Sequence, residues 1–225
     1  MSSTRPSAQR YIRSVNIDPE WREPCELAWE SLTTGSFPVG AVIRDAAGDV
    51  VAVGRNRRVE STVPPGQLGN TALAHAEMNA LAQLPPVAYH DHTLYTTLEP
   101  CLLCTSALRI CRVGEVRYLA PDPIWDGVAD IPTLLSEQAR RTWTRRVGPL
   151  TGPLATFCEA LTVHWYLRHA PHMVSDHQRD MELVTLVETL RTAGVFDCPT
   201  ATDALNLADP ALLAYENANL SRSED

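Results

Sequence analysis

Apolar and polar positions along this chain repeat with two different periods, and the switches between them divide it into elements. Residues 19–33 set Leu27, Trp29 and Leu32 among polar neighbours at helical spacing, which predicts an amphipathic helix. Short β-branched runs at 39–44 and 50–54, separated by Asp45-Ala-Ala-Gly48-Asp49, predict a hairpin. Residues 61–71 hold Pro64-Pro65-Gly66 and Gly69-Asn70 and read as loop. Strong helix formers fill 72–84 and stop before Pro85-Pro86, which predicts a second helix. A strand at 93–97, a helix opened by Pro100 and running to about Cys111, and a strand at 115–119 follow. Helical stretches at about 131–144 and 154–167 complete the pattern.

Composition narrows the class. A chain of 225 residues with 44% hydrophobic and 20% charged content has room for one full core plus an appendage. No apolar run approaches the roughly 18 residues a membrane span needs. The start, Met1-Ser-Ser-Thr-Arg-Pro6, lacks the apolar segment of a secretory signal. A cytoplasmic protein without membrane contact is the expectation. Cys25, Cys111, Cys158 and Cys198 show no paired spacing and are expected as reduced thiols.

Charge divides the chain in two. Residues 1–169 carry sixteen Arg against seventeen acids, a net of −1, while 170–225 carry three against ten, a net of −7. This predicts a unit over 1–169 followed by an acidic extension over 170–225, with a helix at 181–190 and a disordered end at 216–225. Arg55, Arg57 and Arg58, and farther on Arg140, Arg141, Arg145 and Arg146, are expected as solvated surface. Nucleic-acid binders present a basic face, so this balance argues against tRNA as the partner and favours a small molecule.

Two motifs carry chemistry. Ala74-His75-Ala76-Glu77 and Pro100-Cys101-Leu102-Leu103-Cys104 supply one imidazole, two thiols and a carboxylate. His75, Cys101 and Cys104 make a three-ligand zinc set, and structural zinc sites usually close all four positions. A fourth position left for water is what hydrolytic chemistry requires. Cys101 and Cys104, three apart at a predicted helix start, share a face, and His75 comes from the start of another helix. Two helix N-termini then favour thiolate over thiol. Glu77, two residues from a ligand, is placed as the proton carrier: it takes a proton from the attacking water and returns protons to a ring nitrogen and to departing ammonia. The pairing of these motifs is a signature of zinc-dependent deaminases of bases and nucleosides. Asn56 reads either as a turn residue after a strand or as a substrate contact. Trp125 reads either as a base-stacking ring or as a buried anchor. His90, His92, His164, His169, His172 and His177 are expected as loop and surface residues without a second metal.

The stretches Phe37-Pro-Val-Gly-Ala-Val-Ile43, Gly54-Arg-Asn56, Ala74-His-Ala-Glu-Met-Asn-Ala-Leu81, Thr93-Leu-Tyr-Thr-Thr-Leu-Glu-Pro-Cys-Leu-Leu-Cys104 and Arg112-Val-Gly-Glu-Val116 resemble the cytidine deaminase superfamily. Within it they are most similar to the branch of bacterial tRNA adenosine deaminase and guanine deaminase. The resemblance covers about 19–120 clearly and fades toward 169. It implies a three-layer α/β/α sandwich with a C-terminal helical extension, Zn2+ on His75, Cys101 and Cys104, Glu77 as proton shuttle, and Asn56 against the purine or its ribose. It also implies a homodimer paired through the helices beside the metal. The expected reaction is release of ammonia from a small purine, guanine or guanosine; tRNA adenosine, a pyrimidine or a specialised heterocycle are the alternatives. Glu77 opposes a catalytically retired subunit, and the missing fourth ligand opposes a structural zinc module.

Overall fold

α1 spans Pro19–Thr33 with proline at its first position, where the missing N–H leaves nothing unsatisfied. It buries Trp21, Cys25, Ala28 and Trp29. The computed structural model describes residues 17–174 and 178–223, so 1–16, His177 and the last two residues of the expected disordered end lie outside it. β1 (Gly40–Arg44) buries Ala41, Val42 and Ile43 completely, as a strand covered on both faces must. It pairs antiparallel with β2 (Val50–Arg55) on one side and β3 (Thr93–Leu98) on the other. β4 (Glu115–Ala120) runs parallel to β3, and the order is completed by β5 (Arg145–Val147): β2-β1-β3-β4-β5.

Helices cover both faces of this sheet, giving three α/β/α layers. α2 (Ala76–Leu81) and α3 (Leu102–Cys111) pack side by side on one face, while α1 and α5 (Pro153–His169) cover the other. Two glycines set the spacing. A Cβ on Gly40 would lie 2.1 Å from Pro24 O of α1, and one on Gly54 would lie 2.2 Å from Ala76 O of α2. The sheet therefore touches helix backbone directly at both points, and the second contact seats the helix that follows His75.

The structure departs from the expected elements in four places. The stretch 131–144 is not one helix. It forms a 3-10 turn over Val128–Leu134, a one-turn α4 (Glu137–Arg140) and the edge strand β5. Pro132 interrupts the first part, and Arg145–Val147 pairs with a strand thirty residues away, which no local pattern reports. The helix expected over 72–84 shrinks to Ala76–Leu81. Ala74 O accepts from Arg57 N at 3.0 Å and is held by the end of β2 instead of by a helical partner. The end expected to be disordered is helical through residue 223, within α7 (Ala201–Ser223). Ala201, Ala204, Leu205, Ala208 and Leu212 are buried at helical spacing, a stripe legible in the sequence. Finally, His164 is 3% exposed and stacked on Phe196, 3.6 Å between rings, and burial pulls its pKa down to about 4.

α6 (Gln178–Thr192) and α7 pack against each other and against α5, and α7 also against α1. Leu183, Leu186, Val187, Leu190 and Leu205 belong to the same buried cluster as the strands. Glu26 of α1 caps the start of α7, accepting from Ala201 N at 2.8 Å and Thr202 N at 3.0 Å. Of the described residues, no helix is long and apolar enough to cross a membrane.

Candidate metal centre and active site

His75 and Cys101 occupy the same position on two different helices: each is the cap residue just before the first turn, with extended backbone. Their carbonyls accept the first helical bonds, from Asn79 N and Thr105 N, both at 2.9 Å. Cys104 lies one turn into α3 and is fully buried. Cys101 Sγ is 3.6 Å from Cys104 Sγ and 3.6 Å from His75 Nδ1, and Cys104 Sγ is 3.5 Å from His75 Nδ1. A tetrahedral zinc with Zn–S of about 2.3 Å and Zn–N of about 2.0 Å needs edges of about 3.8 Å between sulfurs and about 3.5 Å between sulfur and nitrogen. The triangle matches those edges to about 0.2 Å, so the residues fit the ion. Among the described residues this is the one cluster of three metal-ligating groups.

The thiols show why a cation belongs here. The Cys104 thiol and the nearby His75 imidazole hold Cys101 as thiolate, its pKa drawn down to about 4. Cys104, sharing a proton with Cys101 and deeply buried, is held well above the thiol range. Only a positive charge at the centre of the triangle lets both ionise together.

Glu77 is 4% exposed, with Oε2 at 3.4 Å from Cys104 Sγ and Oε1 accepting from Thr96 Oγ1 at 3.2 Å. Burial first, then the negative Cys101, raises its pKa from the ordinary glutamate value. A carboxyl group poised to hold a proton beside a metal triangle has the properties of an acid–base carrier.

A cavity of about 250 Å³ opens over these groups. Asn56 and Trp125 both line it, as does Asp122. Asn56 Oδ1 accepts from Arg58 N at 3.2 Å, leaving its amide nitrogen without a partner among the described residues. Trp125 is 36% exposed and so is not a buried anchor. Burial raises Asp122 to about 6, with the charges of Cys101 and Glu99 adding to it.

Sequence reading missed the far wall. Trp165 and Tyr166 of α5 line the cavity, although they lie about sixty residues beyond Cys104 and ninety beyond His75. Trp165 Nε1 donates to Gly35 O at 3.0 Å, which fixes that ring. Asn79 was also unmarked. It is fully buried, accepts from Leu68 N at 2.6 Å and donates to Arg55 O at 2.9 Å, tying the loop over 61–71 to α2. Two basic clusters expected as solvated surface contain members withdrawn from solvent, one buried and one half-buried. Arg55 is 6% exposed and paired with Glu60 and Glu30, and Arg146 is paired with Glu99 at 2.5 Å.

Residues 21–120 match the family model for the cytidine and deoxycytidylate deaminase zinc-binding region. The chain is 31% identical over 142 residues to a tRNA-specific adenosine deaminase of Streptococcus pyogenes serotype M1, covering 61% of this chain and 75% of that one. It is 36% identical over 84 residues to a cytosine deaminase of Candida albicans, 36% of this chain and 51% of that enzyme. A crystal structure of a mutant of NE0047 in complex with 8-azaguanine superimposes with a TM-score of 0.51 at 23% identity, covering 68% of this chain and 86% of that chain. With a strand order and metal triangle of this kind, the chain belongs to the cytidine and deoxycytidylate deaminase family. It is a zinc-type deaminase of that family.

Proposed function

We propose that this protein hydrolyses the carbon–nitrogen bond of a cyclic amidine, releasing ammonia from an amino-substituted nucleobase or nucleoside, and that a small purine of the guanine or guanosine kind is its substrate. The observation that carries the reading is the cavity itself: a space of about 250 Å³ with His75, Cys101 and Glu77 at its floor and aromatic walls around it. That size suits one base or nucleoside. Zinc held by His75, Cys101 and Cys104 supplies Lewis-acid polarisation of water. Glu77 accepts a proton from the attacking water as its oxygen bonds to the ring carbon. It delivers that proton to a ring nitrogen, then takes the remaining proton of the added hydroxyl and passes it to the amine, whose bond to that carbon breaks as the carbonyl forms and ammonia leaves. Its raised pKa suits both directions of transfer.

Asp122 supports a purine with donor groups on its edge. Its Oδ1 accepts from Ile124 N at 3.2 Å, and at neutral pH the group is largely ionised, an acceptor for a ring N–H and an adjacent amine. Asn56 supplies a donor and Trp125 a stacking face. The region 1–169 is the catalytic unit in this reading and 170–225 its extension. A second reading, adenosine within tRNA, is favoured by the identity to the Streptococcus enzyme.

The test is ammonia release from guanine, guanosine, adenine, adenosine, cytosine, cytidine and tRNA by zinc-loaded protein and its Glu77→Ala variant. Release from guanine or guanosine that falls by roughly 10²–10⁴ in the variant, with zinc retained, is the expected result. Undiminished release by Glu77→Ala would sink the assignment of the proton carrier, and release from tRNA alone would replace the small purine by the second reading.

A further inference from the structure

Arg146 is the middle residue of β5, and its guanidinium is bonded to both ends of the segment that carries the cysteine ligands. Nη1 donates to Thr105 Oγ1 at 3.0 Å, one residue after Cys104, and Nη2 donates to Glu99 Oε1 at 2.5 Å, two residues before Cys101. Thr105 in turn donates to Pro100 O at 3.1 Å. The guanidinium also lies 5.1 Å from the centre of the Tyr118 ring, and the pairing of Arg146 with Val116 of β4 fixes the backbone it extends from. Arg146 is therefore held rigidly against the turn that presents the thiols.

Glu99 carries this constraint onward. Its second oxygen, Oε2, accepts from Asp122 N at 3.3 Å, while its own N–H donates to Ala120 O at 2.8 Å. Asp122 opens the 3-10 turn Pro123–Trp125. Among the described residues, the other backbone bonds of that turn stay inside it, from Trp125 N to Asp122 O and from Asp126 N to Pro123 O. The bond to Glu99 is thus what ties this loop to the metal turn, and both Glu99 and Asp122 line the zinc cavity. The side chains of Arg146 and Glu99 are 10% and 14% exposed. Taking such a pair out of water costs about as much as its attraction returns, so stability alone does not account for keeping it at the cavity wall.

We propose that Arg146 is a positioning residue for substrate recognition: by clamping Glu99 against the cysteine turn, it holds the Asp122 carboxylate in register with the metal triangle. The proposal rests on the deaminase reading above, with Asp122 as an acceptor for the base, and adds the residue that places that acceptor. A guanidinium suits the task because its planar fork serves two acceptors in one fixed geometry. Without it the Glu99 carboxylate is free to turn, and it repels Asp122 in place of anchoring the loop.

Two measurements on the zinc-loaded full chain test the clamp apart from the chemistry. The first is amide hydrogen exchange. In Arg146→Ala, exchange over 121–126 is expected to rise about tenfold or more, while 76–81 keeps its rate and zinc stays bound. Unchanged exchange over 121–126, or a rise of the same size throughout the chain, overturns the proposal. The second is ammonia release from guanine, or from whichever compound of the panel above is turned over fastest, by wild type, Arg146→Ala, Asp122→Asn and the double variant. Arg146→Ala is expected to raise KM about tenfold or more with kcat kept within about threefold. In the Asp122→Asn background the same substitution is expected to change KM by less than about twofold, because the carboxylate through which Arg146 acts is gone. Equal effects in the two backgrounds, or a fall in kcat with KM unchanged, overturn the proposal. Arg146→Lys keeps a cation beside Glu99, and with it the fold, but lacks the fork; its KM is expected to rise about threefold or more, and a wild-type KM overturns the clamp. Raised exchange over 121–126 in Arg146→Ala, with no ammonia from any compound by wild type, keeps the clamp and defeats the deaminase reading instead.

Discussion

Asp122→Asn should stabilise the protein while weakening substrate binding, and both effects come from the same buried charge. Burial is the main cause that lifts this carboxyl from its ordinary 3.8 to about 6, and a bound metal leaves that cause in place. Two pH units correspond to about 3 kcal/mol of preference for the neutral form. Because the side chain is partly solvated, about 2 kcal/mol is the better figure. The folded state binds the proton more tightly than the unfolded chain does, so stability falls as pH rises from about 4 to about 6 and the penalty is complete above that window. Asn keeps an oxygen for the Ile124 N–H, now 3.2 Å from the carboxylate, and removes the charge. For a chain of this size the gain at pH 7.5 is about 4–8 °C in melting temperature, shrinking to roughly half at pH 5. Scanning calorimetry on zinc-loaded protein across pH 5–8 measures it. A gain that does not vary with pH, or a loss at pH 7.5, would refute the reasoning that burial of this charge is what the fold bears.

Other perturbations test the supports of the site. Cys104→Ala should abolish stoichiometric zinc, read by elemental analysis, and activity with it, since two remaining ligands cannot complete the triangle; a variant that keeps a full equivalent of zinc would contradict the ligand assignment. Gly54→Ala drives a methyl to 2.2 Å from Ala76 O, so α2 must shift; a loss of about 1–3 kcal/mol in urea unfolding, with weakened zinc retention, is expected, and wild-type values for both would show that the sheet–helix contact is not needed. Leu102 and Ile110 of α3 are 43% and 77% exposed, and a dimer through that helix covers them; light scattering giving a monomer mass at micromolar concentration would remove that expectation.

Local pattern was sufficient for much of this protein. The bounds of α1, the hairpin, β3, α3 and β4 follow from periodicity and from turn and proline positions. The metal triad is legible because both of its halves sit at helix starts, where short-range sequence sets the backbone. The carboxylate of Glu77 is legible for the same reason. What lies beyond depends on pairings between distant residues. β5 exists because β4 offers an edge thirty positions earlier, and no property of Arg145-Arg146-Val147 announces a strand. Arg55 and Arg146 look like surface charges until Glu60 and Glu99 are brought beside them. Trp165 and Tyr166 become cavity walls only when α5 crosses the sheet on the side opposite α2, and Ser36 becomes an orphaned hydroxyl only in that packing. Sequence alone marked the metal triad and the deaminase family, since those reside in residue types at short spacing. The shape, charge and reach of the space around them are sums over contacts between residues far apart in the chain, and only the tertiary structure could decide those.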